Sequence, residues 1–369
     1  MSAQRVLRLS LLLISLLFLI VGLLAGLMRL GWNPPWAQPR LAPDHGPLMI
    51  GGFLGTLISL ERAIALGRRW GYAAPLMAGV GTLGFVTGVS VEAAMFLIAL
   101  ASLVLVFIFV AVLLLQPALH SATMGLGAIA WLVGNILWFI GITIPQMTHW
   151  WIAFLVLTIV GERLELNRLL APSRYVKSAF GVGLSLFVAG LVCLAFLPGL
   201  GHRIAGIGML ALALWLARFD VARFTVRRGG LPRFISLCLF AGYFWLGIGG
   251  LIWVLAAPID AVGSFSFFTY DAMLHSIFLG FVFSMIFAHA PIVFPAVTGR
   301  PLAFRPASYA HVLLLHLSLI ARIVGDFAGS FSILRWAGLG NVLSLVLFLL
   351  NNAYGMIAAH HEAKSPKRL

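Results

Sequence analysis

Two histidines lie inside an apolar stretch that is long enough to cross a lipid bilayer. Residues 272–296 are almost wholly apolar, yet they contain His275 and His289, fourteen residues apart. On a helix these two side chains fall within roughly 40° of one another and about 21 Å apart along the axis. An ionisable group inside a membrane is costly, and imidazole is a common metal ligand. The pattern therefore indicates a functional site, with neutral histidines hydrogen-bonded to a neighbouring helix as the alternative.

A further histidine opens another apolar segment near the N-terminus. His45 is followed by Gly51, Gly52 and Gly55. Small residues at this spacing either let another helix approach closely or leave room for a flat macrocycle, and both interpretations stay open. If the apolar segments are numbered along the chain, His45 and His275 both lie at starts of even-numbered segments. The two histidines are therefore expected in the same half of the membrane.

The stretch 270–302 resembles the tenth helix of the catalytic subunit of haem–copper oxidases. That helix has a His-x-His pair, a Met- and Phe-rich run, and a closing Phe-Pro followed by Thr-Gly. His275 matches the second histidine of the pair, and Met273 replaces the first. Residues 294–295 are Phe-Pro, and residues 298–299 are Thr-Gly. The ending Thr-Gly-Arg-Pro-Leu also resembles the NnrS family, membrane proteins associated with haem, copper and nitric oxide stress.

The resemblance implies one haem b with two axial histidine ligands. His45 matches the histidine of the oxidases' second helix, which binds the low-spin haem, and His275 would be the other ligand. Arg322 is expected to bind a haem propionate, although it lies inside its helix rather than after it. The alternative for Arg322 is an ion pair with Asp326, one turn away.

The oxygen-reducing copper centre of the oxidases is not expected. Residues 150–197, where the oxidases carry copper-binding histidines, contain none. The side of the helix that carries Met273 is expected to be packed with apolar side chains. A second metal site from His289 and His316, for copper or a second haem, is a further candidate but has only two ligands.

Composition defines the broad class. The chain has 369 residues, of which 62% are hydrophobic and 9% charged. This predicts an all-α integral membrane protein, a single polytopic transmembrane domain over residues 1–369. The net charge of +14 is better explained by membrane topology than by nucleic-acid binding. Glu162 and Glu165 either begin a proton path or, more simply, belong to a charge cluster at a helix end.

Apolar windows predict twelve transmembrane helices in a bundle like subunit I of the haem–copper oxidases. The segments are 6–30, 46–67, 72–90, 93–116, 119–143, 147–170, 177–197, 203–219, 234–257, 267–295, 307–328 and 332–358. With both termini in the cytoplasm, 19 of the 24 Lys and Arg residues face inward and four face outward. This asymmetry agrees with the positive-inside rule. The expected location is a bacterial-type inner (plasma) membrane.

The sequence thus favours a haem-binding membrane protein with a role in electron transfer or in handling nitric oxide or copper. Its expected partners are haem, membrane lipids and an electron donor or a partner membrane subunit. Whether it is an oxidoreductase component is left open, because the binuclear centre is missing. The alternative is a transporter or assembly subunit of the same fold that binds no cofactor.

Overall fold

The computed structural model describes residues 3–35, 38–256, 266–299 and 302–364, and all the regular secondary structure in these ranges is helical. Arg300 and Pro301, part of the ending that resembles the NnrS family, lie outside the described residues. Twelve long helices occur in the described ranges. They are α1 Ala3–Arg29, α2 Arg40–Leu66, α3 Ala73–Thr87, α4 Val91–Leu115, α5 Leu119–Phe139, α6 Ile144–Asn167, α7 Arg174–Cys193, α8 Pro198–Phe219, α9 Gly230–Leu255, α10 267–298, α11 Ser308–Phe327 and α12 Phe331–Lys364.

Within these described helices, eleven are long and apolar enough to cross a membrane. The exception is α3, which has 15 residues and so spans about 22 Å, less than the roughly 30 Å of a hydrocarbon core. A 3-10 turn, Arg69–Tyr72, precedes it, and Gly88 ends it in the left-handed conformation at φ 71°. The predicted segment 72–90 is therefore a helix, but its crossing of the membrane stays a prediction.

Large apolar side chains cover much of the helix surface. Leu13, Leu114, Leu214 and Phe244 are between 60% and 80% exposed, on four different helices. In water such an exposed apolar surface would favour aggregation, whereas in lipid it is the required surface. The protein is therefore a multi-pass, all-α membrane protein.

The chain divides into two compact units, Met1–Glu165 and Leu166–Leu369, with the division in the last turn of α6. In the first unit the core includes Trp131 stacked on Phe154, with ring centroids 4.8 Å apart. In the second unit α7 and α8 approach so closely that a Cβ atom on Gly208 would lie 2.6 Å from the Phe187 Cα. The expectation of a single polytopic domain stays a prediction.

Two helices contain a π-helical segment of eight residues. In α2 it is Leu48–Gly55, and in α10 it is Ser276–Phe283. The first begins three residues after His45 and the second directly after His275. π-Helical segments are rare and occur frequently at functional sites, because the extra residue changes the direction of the side chains around it. Both histidines predicted as ligands thus lie just before such an irregularity.

Candidate functional site

His45 is held by the backbone of α1. Its Nδ1 atom lies 2.7 Å from the carbonyl oxygen of Gly22. A carbonyl oxygen only accepts hydrogen bonds, so Nδ1 carries the proton and the lone pair of the neutral ring is on Nε2. Gly26 makes room for the ring, because a Cβ atom there would lie 2.9 Å from the imidazole Cε1. The half-buried imidazole is therefore positioned by α1.

The three glycines after His45 serve helix packing. A Cβ atom on Gly51 would lie 3.1 Å from Ile98, and one on Gly52 would lie 3.1 Å from Phe18. At Gly55 the added atom would lie 2.8 Å from the Trp131 Cη2 and closer still to its neighbour in the ring. The space beside each glycine is thus filled by side chains of the same unit. The sequence left open whether these glycines allow helix packing or make room for a macrocycle. Their surroundings fit the close approach of neighbouring helices.

His275 contacts a carboxylate that sequence reasoning missed. Its Nδ1 atom lies 2.9 Å from the backbone oxygen of Asp271 and 3.3 Å from the Asp271 Oδ1. Both contacts are with acceptors, so Nδ1 again carries the proton and Nε2 the lone pair. Asp271 is 8% exposed. Its position four residues before a membrane histidine was the available signal, since that spacing places two residues on one helix face.

Arg322 binds the same carboxylate with both arms of its guanidinium group. Nε lies 2.7 Å from Asp271 Oδ2, and Nη2 lies 2.9 Å from Asp271 Oδ1. Its Nη1 atom points to Asn341 Oδ1 at 3.5 Å, and Asn341 donates to Ser318 at 2.8 Å. The structure therefore brings together His275 and Arg322, two of the predicted site residues, through Asp271 on α10.

Arg322 and Asp326, proposed on sequence grounds as an alternative pair, share no hydrogen bond among the described residues. The guanidinium group turns instead to Asp271, 51 residues away in sequence, and binds its carboxylate in bidentate geometry. Binding of a haem propionate by Arg322 stays a prediction. In this structure the two arms suited to a carboxylate are already taken by Asp271.

Asp326 is buried beside this ion pair. It is 3% exposed, and neither carboxylate oxygen has a hydrogen-bond partner among the described residues. Its carboxyl group is near enough to Asp271 and Arg322 to interact with both charges. The described network therefore contains two carboxyl groups for one guanidinium group, with the imidazole of His275 at its edge.

The second metal site predicted from His289 and His316 has little support in the local hydrogen bonds. His316 Nδ1 accepts a hydrogen bond of 3.0 Å from Trp245 Nε1, so the neutral ring carries its proton on Nε2. In that form neither nitrogen of His316 offers a lone pair to a metal. His289 Nδ1 lies 2.7 Å from the carbonyl oxygen of Met285. Copper at this site stays a prediction.

No group of three or more His, Cys, Asp or Glu side chains arranged to hold a metal ion occurs among the described residues. Haem iron differs from a free metal ion in this respect, because the porphyrin supplies four of its ligands. Two imidazoles with lone pairs on Nε2, as at His45 and His275, are a donor set that suits haem iron. Met273 is 3% exposed, as expected for a side chain packed inside the protein.

The charged residues at the ends of α2 and α6 form a separate cluster in the first unit. Arg62 pairs with Glu162 and lies 3.6 Å from Glu61. Glu165 lies 3.9 Å from His120 Nε2. Because Glu61 and Glu165 are 45% and 46% exposed, this arrangement fits the interpretation of Glu162 and Glu165 as part of a helix-end charge cluster.

Fold and contacts define the class: a multi-pass helical membrane protein with an ion-pair network buried in its second unit. The chain belongs to the family described as Domain of unknown function (DUF8744), whose model matches residues 8–356. No curated protein matches the chain.

Proposed function

We propose that this protein binds one haem b, with His45 and His275 as the axial ligands of its iron. The proposal includes a fold of the haem–copper oxidase and NnrS type, with twelve membrane crossings, both termini in the cytoplasm and a bacterial inner membrane as the location. A reporter fused after Leu369 that is active only in the periplasm would contradict this topology. The proposed role is electron transfer, or the handling of nitric oxide or copper.

The observation that carries the proposal is the contact between the Asp271 carboxylate and His275 Nδ1, at 3.3 Å. Metal-binding histidines usually donate their second N–H to a carboxylate or a backbone carbonyl, which fixes the tautomer and raises the basicity of the ligating nitrogen. His202 and His289 donate to a backbone oxygen four residues earlier, which is a common arrangement within helices. At His275 the Asp271 carboxylate adds a second contact to a backbone hydrogen bond of this kind.

The protein's own residues would hold the haem in a defined way. His45 and His275 would each present Nε2, and Asp271 would keep the His275 ring in one orientation. Haem b held by these two histidines would supply one-electron chemistry. This arrangement suits electron transfer better than reduction of a gas.

The proposal is tested by replacing each histidine with alanine. We expect His45→Ala and His275→Ala to lose most of the haem that co-purifies with the protein, because each removes one axial ligand. His202→Ala is the matched control, since His202 is also a buried membrane histidine whose Nδ1 bonds to a backbone oxygen, at 2.8 Å. Haem content is measured per chain from the Soret band. Wild-type haem content and spectrum in both ligand variants would contradict the assignment.

A second candidate function is a membrane transporter that binds no cofactor. The buried network of Asp271, Arg322 and Asp326 favours it, because charged groups inside membrane helices often mark pathways for ions or protons. Purified protein without a Soret band, combined with ion-dependent uptake into vesicles that is lost in Asp271→Asn, would favour this function over haem binding.

A further inference from the structure

Asp326 is an acidic side chain that the haem proposal does not use. It lies on α11, is 3% exposed, and has both oxygens buried without a hydrogen-bond partner among the described residues. An ionised carboxylate without partners in an apolar environment is strongly unfavourable, and such a group is normally paired or neutral. The Asp326 carboxyl group therefore requires either a counter-charge or a proton.

The guanidinium group that acts on Asp326 is already bound to another carboxylate. On α11 itself, Arg322 directs both Nε and Nη2 to Asp271. On α10, the facing charge is the Asp271 carboxylate, which has the same sign. On α12, the amide of Asn341 faces the network. The described network thus contains one guanidinium group and two carboxyl groups.

We propose that Asp326 is a proton-binding site, in which its carboxyl group holds one proton and donates it as a hydrogen bond to the Asp271 carboxylate. Two carboxyl groups at one site share a proton readily, because the proton removes the repulsion between them. With the proton bound, Asp271 and Arg322 form a neutral pair and the network carries no net charge while His275 is neutral. Asp326 accepts the proton without breaking any contact of the ion pair.

Such a site gives a membrane protein a way to take up a proton within its helices. Protonated and ionised forms of Asp326 differ by a full charge beside the Asp271–Arg322 pair, so they favour different packing of α10 against α11. This inference does not depend on haem binding, since it concerns a side chain that is not a proposed iron ligand.

The test is infrared spectroscopy of the purified full-length protein in detergent, titrated from acid to alkaline pH. Exposed aspartates ionise near pH ~4, so their protonated-carboxyl stretch is gone at neutral pH. We expect the wild-type spectrum at neutral pH to contain a component of this band that shifts in D2O and is missing from the spectrum of Asp326→Asn. Glu92→Gln, at an exposed acid, should keep the band.

Three results would overturn the proposal. The first two are a wild-type spectrum without the band at neutral pH and a band that is unchanged in Asp326→Asn. The third is a band that disappears when sodium replaces a bulky cation in the buffer. The last would mean that the site holds a metal cation. Asparagine also mimics the neutral acid, so Asp326→Asn should unfold at nearly the wild-type temperature, and a large loss of stability would argue for an ionised Asp326. The carboxyl band can be measured whether or not the protein contains haem. A missing Soret band would therefore contradict the haem proposal without affecting this test.

Discussion

His45 and His275, the two proposed haem ligands, are positioned in different ways. His45 is held against α1 by the backbone carbonyl of Gly22, and Gly26 leaves room for its ring. His275 is held by a side chain, Asp271, which is itself fixed by Arg322. The position of the His45 ring thus depends on how closely α1 and α2 approach each other. The position of the His275 ring depends on the ion pair between Asp271 and Arg322.

This difference predicts where substitutions will act. The hydrogen bond from His45 Nδ1 to the Gly22 backbone oxygen is not removed by any side-chain substitution at position 22, but a change in the spacing of α1 and α2 should disturb it. The orientation of the His275 ring, in contrast, should change when Asp271 or its partner Arg322 is substituted. Polar substitutions near the histidine are therefore expected to have a larger effect at His275 than at His45.

The largest effect is expected for Arg322→Met. It removes the guanidinium group and leaves Asp271 as an uncompensated buried carboxylate, and breaking a buried ion pair from one side costs about 3–5 kcal/mol. We expect a clearly lower thermal midpoint in detergent. The thermal midpoint of Arg322→Lys should lie between those of Arg322→Met and the wild type, because an ammonium group keeps the charge but not the bidentate geometry. A wild-type midpoint for Arg322→Met would mean that the ion pair contributes nothing to stability.

A smaller effect is expected for Asp271→Asn. The side chain keeps its size but loses the charge that orients His275 and pairs with Arg322, and loss of such a carboxylate beside a ligating histidine typically lowers metal affinity about 10–100-fold. Haem affinity is measured by titrating haem into protein purified without it. His202→Ala should bind haem like wild type. Unchanged affinity in Asp271→Asn would show that the carboxylate does not support the ligand.

The smallest effect is expected for Gly26→Ala. The added Cβ atom would lie 2.9 Å from the His45 ring, so either the ring or α1 must shift. Overpacking of this kind costs about 1–3 kcal/mol. We expect a few-fold weaker haem binding. The matched control is Gly79→Ala, whose new atom would meet Ile14 at an ordinary 3.6 Å. Equal haem affinity in the two variants would contradict the proposed positioning of His45 by α1.

The sequence predicted the helices better than their contacts. Apolar runs placed all twelve segments near the observed helices, because the need to satisfy backbone groups in lipid makes long apolar stretches helical. The short length of α3 was missed, since the apolar run continues through Gly88, which ends the helix. The pairing of Asp271 with Arg322 was missed because it joins residues 51 positions apart on different helices. Periodicity within one segment carries no information about such a pair.

The central claim is tested most directly by the optical spectrum of the purified protein, oxidised and reduced, together with its haem-to-protein ratio and an EPR spectrum. Ligation by His45 and His275 predicts one haem b per chain, six-coordinate and low-spin in both oxidation states. Protein that contains no haem after expression with sufficient haem supply, or that contains two haems per chain with a strong high-spin signal, would contradict it.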